Sequence, residues 1–443
     1  MTARPTGFLH WVLPAMLALV ALTVLLSGRD LSRAFADLQS GVVYSHPAVV
    51  WAQRAVSLLL LAISAERVIS HLALRQHLPS ALLAGAFLVY WLATVLAPAF
   101  LGAHPQLSLK YFYALVLGGA ALLATEPERD KVVDGFRNAL FLFLLAGVIL
   151  VPLNRPLVLD ASYSQGLLPG VPRLGGLAPH AVSLGMFAQT FLLCLWCRPF
   201  SNRWLTRLAW LVGLGVLFFA QSKTAWIAFV VCSAALLAVR NGPGVWRRLG
   251  DPRQGAFGIV FCLGVIAFVG VLMGVLLLGN VASHATSFLD TTEGAQLVSL
   301  TGRDHIWAVA MEEWRQNPLF GYGPDLWDDA FRLSIGMPNA THAHNQFMDT
   351  LARSGSVGAA ALILYAAVLL TLSIRYARAT GGLSLALFLA LALRSISEVP
   401  LLLFGYGTEL LMNLLLIITL ASAAASRQRV VPAPSRATFR VAS

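Results

Sequence analysis

The sequence predicts an all-α, polytopic integral membrane protein of about 12 transmembrane helices with a large helical loop, and three observations support this. Of the 443 residues, 58% are hydrophobic and only 12% are charged, whereas soluble domains are about 45–50% apolar and about 25% charged. Apolar runs of the length that a membrane-spanning helix needs, about 17 to 25 residues, recur along the chain. Lysine and arginine residues gather in alternate loops between those runs.

The apolar runs give approximate boundaries for the predicted spans. They are 11–26, 48–65, 80–98, 108–124, 138–152, 179–197, 205–219, 224–239, 257–278, 356–374, 383–394 and 401–424. The first run resembles a signal peptide, but it leads into further spans and shows no small-residue cleavage pattern. We therefore expect it to be retained as the first helix.

The basic residues predict the orientation of the chain. Its net charge is +11, and loops rich in lysine and arginine stay in the cytoplasm. Most arginines fall in the loops on one side of the predicted spans, and far fewer fall on the other side. This predicts an inner-membrane protein with both termini in the cytoplasm. The positive charge is thus a sign of topology, and we expect no nucleic-acid partner.

The positions of the cysteines and the absence of known nucleotide-binding motifs predict that the protein uses no cofactor. The four cysteines, Cys194, Cys197, Cys232 and Cys262, all lie in apolar runs, where a disulfide framework or a zinc site would lack its loop context. The sequence contains no Walker loop, no dinucleotide fingerprint and no His-Glu-x-x-His motif.

Two loops on the predicted outer side are polar. The larger divides the chain into helices one to nine at 1–278, a periplasmic loop with the active-site motifs at 279–355, and helices ten to twelve with a basic tail at 356–443. The smaller, at 153–178, holds a run of glycines and prolines at 169–176 that predicts turns.

The large loop contains a predicted amphipathic helix. Thr301 followed by Asp304 is typical of a helix start, and Asn317-Pro318 ends the pattern. Apolar residues recur between them at helical spacing: Ile306, Trp307, Ala310, Met311 and Trp314. We expect this helix to lie on or near the membrane surface. Packing on the bundle explains its apolar face but not Arg303 in its first turn.

Two histidines follow a turn at 321–325 in the same loop. His342 and His344 stand two residues apart, as metal ligands can, but no further ligands occur at a recognisable spacing. A histidine is also the usual general base for a hydroxyl group, because its ordinary pKa lies near neutrality. The alternative is a purely structural imidazole held by loop carbonyls.

Four basic residues interrupt predicted spans or end them near the outer face: Arg54, Lys110, Lys223 and Arg394. Charges in spans are costly and therefore indicate function by default. Snorkelling toward water explains Arg54 and Lys110 equally well. Lys223 lies in a polar break at 221–224, which is either a tight hairpin tip or part of a cationic cavity with Arg173, Arg303 and His344. Such a cavity suits a phosphate-bearing substrate.

These residues resemble the bacterial O-antigen ligases of the O-antigen ligase and polymerase superfamily. His344-Asn345, nine further residues and then Gly355-Ser356-Val357-Gly358 match the family's histidine-asparagine, glycine-x-x-glycine pattern. The stretches 302–307 and 317–323 also look like that family's large periplasmic loop. The resemblance implies a fold like that of GT-C-type glycosyltransferases.

The resemblance implies transfer of a polysaccharide from undecaprenyl pyrophosphate to the lipid A core, without nucleotide, cofactor or metal. The family's essential histidine corresponds to His344, and one essential arginine corresponds to Arg303. A second essential basic position falls on Lys223, where relatives more often carry arginine. Lysine keeps the charge but lacks the bidentate fork of arginine.

The sequence predicts a mechanism in which His344 accepts the proton of the acceptor hydroxyl as that oxygen attacks the anomeric carbon. Arg303 and Lys223 then hold the departing pyrophosphate. We expect supporting contacts to substrate from six more residues: Arg54, Lys110, Arg173, His342, Asn345 and Arg394. A single displacement inverts the anomeric centre, whereas a double displacement needs a carboxylate, for which Asp325 and Asp349 are the candidates.

Three other functions stay open from sequence alone. An O-antigen polymerase uses the same donor and extends a carrier-linked chain. A protein-directed oligosaccharyltransferase of the same superfamily usually carries a larger periplasmic domain near its C-terminus. A secondary transporter, from a different class, usually has two related halves with polar sites near mid-membrane, and here the polar residues gather at one face.

Overall fold

Helices make up most of the protein in the computed structural model, which describes residues 9–33, 46–161, 170–249, 303–338, 340–404 and 407–430. The strands within these ranges are a pair of two-residue antiparallel strands, β1 (Leu159–Asp160) and β2 (Arg173–Leu174). The turns predicted at 169–176 therefore include a short strand, because Arg173 and Leu174 pair with the residues of β1.

The helices are numbered here in chain order. They are α1 (Leu9–Ser27), α2 (Pro47–Ala73), α3 (Ala81–Trp91), α4 (Ala97–Leu101), α5 (Tyr111–Leu122), α6 (Glu126–Leu153), α7 (Arg155–Val158), α8 (Ala181–Cys197), α9 (Arg203–Phe219), α10 (Lys223–Leu249), α11 (Arg303–Gln316), α12 (Asp329–Ser334), α13 (Gln346–Arg375), α14 (Leu383–Arg394) and α15 (Thr408–Val430). A π-helical turn at Leu92–Leu96 joins α3 to α4.

Among the described residues, seven helical segments are long and apolar enough to cross a membrane. They are α1, α2, the joined α3 and α4, α6, the first part of α10, α13 and α15, and the shorter apolar helices are α5, α8 and α14. Every predicted span in the described ranges coincides with a helix, whereas the span at 257–278 lies outside them. The chain is thus a polytopic membrane protein, and the count of about 12 spans stays a prediction.

Two helices extend beyond their predicted spans because charged residues pair with each other. Arg67 donates to the carboxylate of Glu128 at 2.6 and 2.8 Å, so α2 continues as a helix past residue 65 to Ala73. Glu128 also closes a capping box with Thr125, which starts α6 at Glu126, well before the span predicted from residue 138. A buried ion pair therefore joins the ends of these helices.

The last helix lies at the centre of the bundle. It begins at Thr408 and not at residue 401, because the backbone N–H of Leu401 donates to Gln346 Oε1 at 2.8 Å within a turn. Most residues of α15 are buried, whereas α2 exposes large apolar side chains such as Leu58 and Leu59. This arrangement fits a central helix surrounded by helices that contact lipid.

Residues 303–338 and 340–354 form a folded segment, called the polar layer below. Its helix α11 ends at Gln316, which confirms the helix predicted to stop before Asn317-Pro318. Helix α11 packs on α13, and an apolar cluster that includes Leu326, Trp327 and Ala352 lies inside the layer. The polar layer is therefore a small folded unit with its own core.

A glycine separates the polar layer from the long apolar part of α13. Gly355 has φ +63° and breaks the helix into two pieces. A Cβ atom at this position would lie 2.3 Å from the backbone of Leu319, closer than real atoms approach. The freed N–H groups of Ser356 and Val357 donate to Pro318 O and Leu319 O at 2.8 and 3.2 Å. Glycine is required here because the backbone is left-handed and crowded.

Candidate active site

His344 lies in the turn that leads into α13. The next residue, Asn345, caps that helix, since its side-chain oxygen accepts the Met348 N–H at 3.0 Å. The Asn345 amide also donates to Ile396 O at 3.3 Å. His344 itself has φ +49°, and strained backbone of this kind persists where surrounding contacts hold it, often at functional sites.

His342, His344 and Glu398 form a compact group, called the histidine cluster below. Nε2 of His342 lies 3.3 Å from Oε2 of Glu398, and Nδ1 of His344 lies 3.8 Å from the same oxygen. The backbone N–H of His344 donates to Nδ1 of His342 at 3.1 Å. A neutral His342 therefore carries its proton on Nε2, directed at Glu398.

Glu398 is the member of the cluster that sequence reasoning missed. It lies in the turn between α14 and α15, which is tied to α13 because the Gln346 N–H donates to Ser395 O at 2.9 Å. Burial by itself raises the pKa of Glu398, but the neighbouring His342 and His344 and the charge of Arg394 hold that pKa below its ordinary value. One signal was present: Glu398 is the only carboxylate between the apolar runs 383–394 and 401–424.

The histidine cluster has the composition of a metal site, but its hydrogen bonds oppose one. The candidate ligand atoms of His342, His344 and Glu398 lie within 4.8 Å of one another. A metal on Nε2 of His342 would displace the proton to Nδ1, which then faces the N–H of His344 as a second donor. Ligating histidines instead direct their second N–H at an acceptor. The arrangement is better suited to proton transfer.

The buried ion pair between Asp349 and Arg353 fixes the backbone next to the histidine cluster. The Asp349 side chain is fully buried and bonds Arg353 Nε at 2.8 Å, the Ala343 N–H at 2.9 Å and Trp327 Nε1 at 2.8 Å. Arg353 also donates to Pro324 O. Asp349 is therefore engaged by three donors and fixes the backbone beside His344. The sequence proposed Asp349 as a possible nucleophile, and its contacts are those of a positioning residue.

The hairpin between α9 and α10 forms hydrogen bonds with the smaller outer loop and with the turn that carries Glu398. Arg173 donates from Nε to Ala220 O at 2.9 Å, and the Gln221 amide donates to Val171 O at 3.0 Å. Thr224 Oγ1 lies 3.1 Å from Ser397 Oγ. Residues 220–224 thus lie next to the turn that carries Glu398.

Arg394 faces a narrow cavity between these two segments. Its side chain is 7% exposed, and Nε and Nη1 have no hydrogen-bond partner among the described residues. The cavity is also lined by Ser222, Thr224 and Glu398, and its volume of about 10 Å³ is room for about one water molecule. A buried guanidinium with unused donors is costly unless a ligand completes it.

Lys223 and Arg303 begin helices whose neighbouring residues contact the segments that carry the histidine cluster. Lys223 is the first residue of α10, next to Thr224, and Arg303 is the first residue of α11. Arg303 shares a helix face with Trp307, whose indole donates to Ala343 O at 2.8 Å. Within the part of the chain that the structure describes, neither cation makes a side-chain hydrogen bond or ion pair.

The two remaining predicted cations lie elsewhere. Arg54 is exposed on α2 and lies over the ring of Trp51, with its guanidinium carbon 5.3 Å from the ring centre. Lys110 pairs with Asp325 at 2.6 Å, and Asp325 also accepts from the Tyr111 hydroxyl at 2.8 Å. No contact joins either cation to the histidine cluster among the described residues. Lys110 and Asp325 belong to a second polar site.

Comparison with known proteins supports the motif-based assignment. Residues 208–363 match the family model described as O-antigen ligase, just over a third of the chain. No curated protein matches the chain. The matched range contains Lys223, Arg303 and His344, and it ends in α13 after the glycine motif. The match confirms the resemblance to the O-antigen ligase and polymerase superfamily.

Proposed function

We propose that this protein is an O-antigen ligase of the bacterial inner membrane. In this role it moves O-antigen polysaccharide from undecaprenyl pyrophosphate to the lipid A core at the periplasmic face, with both termini in the cytoplasm. The observation that carries the proposal is that Lys223 and Arg303, which have no side-chain partner among the described residues, begin helices that contact the segments carrying Glu398 and His344. A neutral base and unpaired positive charges are what glycosyl transfer from a pyrophosphate needs.

His344 is the general base in this proposal. Its Nδ1 faces Glu398 at 3.8 Å, so Nε2 is the nitrogen left to accept the proton of the acceptor hydroxyl. The acceptor oxygen bonds to the anomeric carbon, the carbon–oxygen bond to the pyrophosphate breaks, and the proton stays on His344. Glu398 stabilises the resulting imidazolium through Nδ1–H, and this contact shortens as the charge develops.

The cations hold the leaving group. Lys223 and Arg303 have no ion pair among the described residues, so they offer their full charge to the pyrophosphate as its negative charge grows. The cavity beside Arg394 holds about one water molecule, so we place the pyrophosphate at its mouth, near Lys223. Arg173 is engaged with Ala220 O and supports the hairpin that carries Lys223.

A single displacement with inversion fits these contacts better than a double displacement. Asp349 is engaged by Arg353, Trp327 and the Ala343 N–H, and Asp325 is engaged by Lys110 and Tyr111. Neither carboxylate is free to attack a sugar. The hydrogen bond from His344 N–H to His342 Nδ1 likewise favours chemistry without a metal.

The test is a reconstituted reaction. The full-length protein in detergent is incubated with carrier-linked glycan and lipid A core, with EDTA and without ATP, and the products are separated on a gel. The expected result is a glycan–lipid A conjugate that forms with the wild type and not with His344→Ala. His305→Ala is the matched control, since His305 is an exposed histidine of the same loop.

Two outcomes contradict the proposal. Undiminished conjugate from His344→Ala removes the histidine as base. Longer carrier-linked chains in place of the conjugate assign the protein as an O-antigen polymerase, which shares the donor and the superfamily match.

A further inference from the structure

A second cavity lies between the polar layer and the loop after α4, and none of its lining residues belongs to the histidine cluster. It has a volume of about 390 Å³ and is formed by the loop after α4 and the loop before α12. It is lined by His104, Pro105, Gln106, Tyr322, Asp325 and Asp328, with Ala103 at its edge. None of these residues lines the cavity beside Arg394. The volume falls in the range of small-molecule pockets, about 300–1,000 Å³.

The walls of this cavity are held by backbone hydrogen bonds. The N–H groups of Ala103 and His104 donate to Gly321 O and Tyr322 O at 2.9 and 2.7 Å. Gly321 has φ +67°, and a Cβ there would lie 2.5 Å from Ala352 O. The two loops therefore join at fixed geometry, and the pocket is preformed.

The lining combines flat rings with fixed hydrogen-bonding groups. The rings of His104 and Tyr322 stack with their centres 4.1 Å apart and an angle of 27° between their planes. Lys110 and Tyr111 bind one carboxylate oxygen of Asp325 each, which orients that group and leaves lone pairs for further donors. Rings of this kind pack against the apolar faces of a sugar, and carboxylates accept from its hydroxyls.

The charge around the cavity opposes anions. Asp325 and Asp328 line the cavity, and Lys110 is the cation paired with Asp325. Burial raises the pKa of the Tyr322 phenol, and the negative charges of Asp328 and Glu313 raise it further. This cavity is therefore less suited to a pyrophosphate than the position proposed for it near Lys223.

We propose that this cavity is a saccharide-binding subsite for a neutral pyranose unit. The proposal rests on the function proposed above, which supplies the glycan, and it extends that function by giving the sugar a place of its own. A neutral pyranose offers a flat apolar face to the stacked rings and hydroxyl donors to the carboxylates. Both the donor glycan and the acceptor core contain such units.

A chain of buried contacts connects the subsite to the catalytic base. Arg353 donates to Pro324 O, next to Asp325, and it bonds Asp349, which accepts from the Ala343 N–H beside His344. A sugar in the subsite is thus held by the same rigid unit that positions His344. We expect such a unit to hold a bound glycan in a fixed position relative to His344.

The binding test uses saturation-transfer NMR on the full-length protein in detergent. The probes are the neutral methyl pyranosides of glucose, galactose, mannose and N-acetylglucosamine, with methyl glucuronide and inorganic pyrophosphate as anions. At least one neutral glycoside is expected to bind. His104→Ala and Gln106→Ala are each expected to weaken the affinity for that glycoside about fivefold or more, the order expected for one lost ring or amide contact. Both residues are exposed, so these variants should fold.

His344→Ala is the matched control and should bind the glycoside as the wild type does. Binding by this inactive variant separates the subsite from catalysis, so either proposal can fail alone. The subsite is overturned if no neutral glycoside binds, if His104→Ala and Gln106→Ala bind equally well, or if the glucuronide binds more tightly.

A kinetic arm identifies which substrate supplies the sugar. In the reconstituted reaction, a raised KM of His104→Ala for the lipid A core assigns the subsite to the acceptor. A raised KM for the carrier-linked donor assigns it to the donor. An unchanged KM for both overturns the proposal.

Discussion

The two sides of the candidate active site are built in opposite ways. On the histidine side, most polar groups are engaged by the protein: His342 with Glu398, Asp349 with Arg353, and Asn345 with the cap of α13. Nδ1 of His344 faces Glu398 at 3.8 Å and makes no hydrogen bond with the described residues. On the cation side, Lys223 and Arg303 have no side-chain hydrogen bond or ion pair with any described residue.

This contrast indicates a division of labour. A general base works best when its direction and its partner are fixed before substrate arrives, because a preformed arrangement needs no reorganisation during the reaction. A cation that binds a leaving group works best when no protein carboxylate neutralises it. In the proposed function, the histidine side therefore supplies the proton acceptor, and the cation side binds the pyrophosphate both in the donor and as it leaves.

The largest expected effect comes from breaking the Asp349–Arg353 ion pair, which fixes the backbone next to His344. Asp349→Asn breaks a buried ion pair and leaves Arg353 uncompensated, which costs on the order of 3–5 kcal/mol in free energy of unfolding. Asp329→Asn, which removes the exposed partner of Arg332, should cost no more than about 1 kcal/mol. Thermal unfolding in detergent compares the two variants. Equal shifts in Tm would contradict the buried role of Asp349.

The next largest effect is on the orientation of the base. Glu398→Gln keeps the shape of the side chain but removes the charge that faces His344, and we expect a transfer rate about 100-fold lower. Affinity for the donor should stay near that of the wild type. A full transfer rate in Glu398→Gln would show that His344 works without this carboxylate.

The cation side should respond differently. Lys223→Ala and Arg303→Ala each remove a charged contact, which corresponds to about a 10- to 100-fold loss of donor affinity. Lys223→Arg should retain affinity, since arginine keeps the positive charge and adds a bidentate fork for phosphate oxygens. Arg315→Ala is the matched control because Arg315 is an exposed arginine of the same helix. Donor binding measured by titration distinguishes these results.

The smallest effect is a pH dependence of stability. The pKa of Glu398 is held below its ordinary value in the folded protein, so ionised Glu398 contributes stability above the unfolded-state pKa of about 4.3. That contribution is lost as the pH falls through the lower, folded-state pKa. The Tm difference between the wild type and Glu398→Gln should therefore be full at neutral pH and shrink in acid. A Tm difference that does not change with pH would show that the ionised Glu398 carboxylate is not its source.

The sequence predicts the membrane helices well because a long apolar run has few alternatives to a helix in lipid. It places their ends less well, since Arg67 with Glu128 and Gln346 with Leu401 are contacts between distant segments. Glu398 was missed for the same reason: two helices, α13 and α14, separate it in sequence from its partners His342 and His344. The strands β1 and β2 are too short to leave a periodic pattern.

The site residues show the same limit. His344, Arg303 and Lys223 were found because they interrupt a pattern or match a motif, both of which are local features. Whether a cation is engaged depends on the fold. Lys110, which pairs with Asp325, and Lys223, which has no carboxylate partner among the described residues, therefore look alike in sequence. The second cavity could not be predicted, because its walls come from residues 103–106 and 322–328, which only the folded chain brings together.

One paired measurement tests the division of labour most directly. Donor affinity and the single-turnover rate of transfer are measured on the same preparations of wild type, His344→Ala and Arg303→Ala. The account predicts that His344→Ala binds the donor normally and transfers it at least about 100-fold more slowly, whereas Arg303→Ala binds the donor poorly. Loss of donor affinity in His344→Ala with an unchanged rate for bound donor would contradict it.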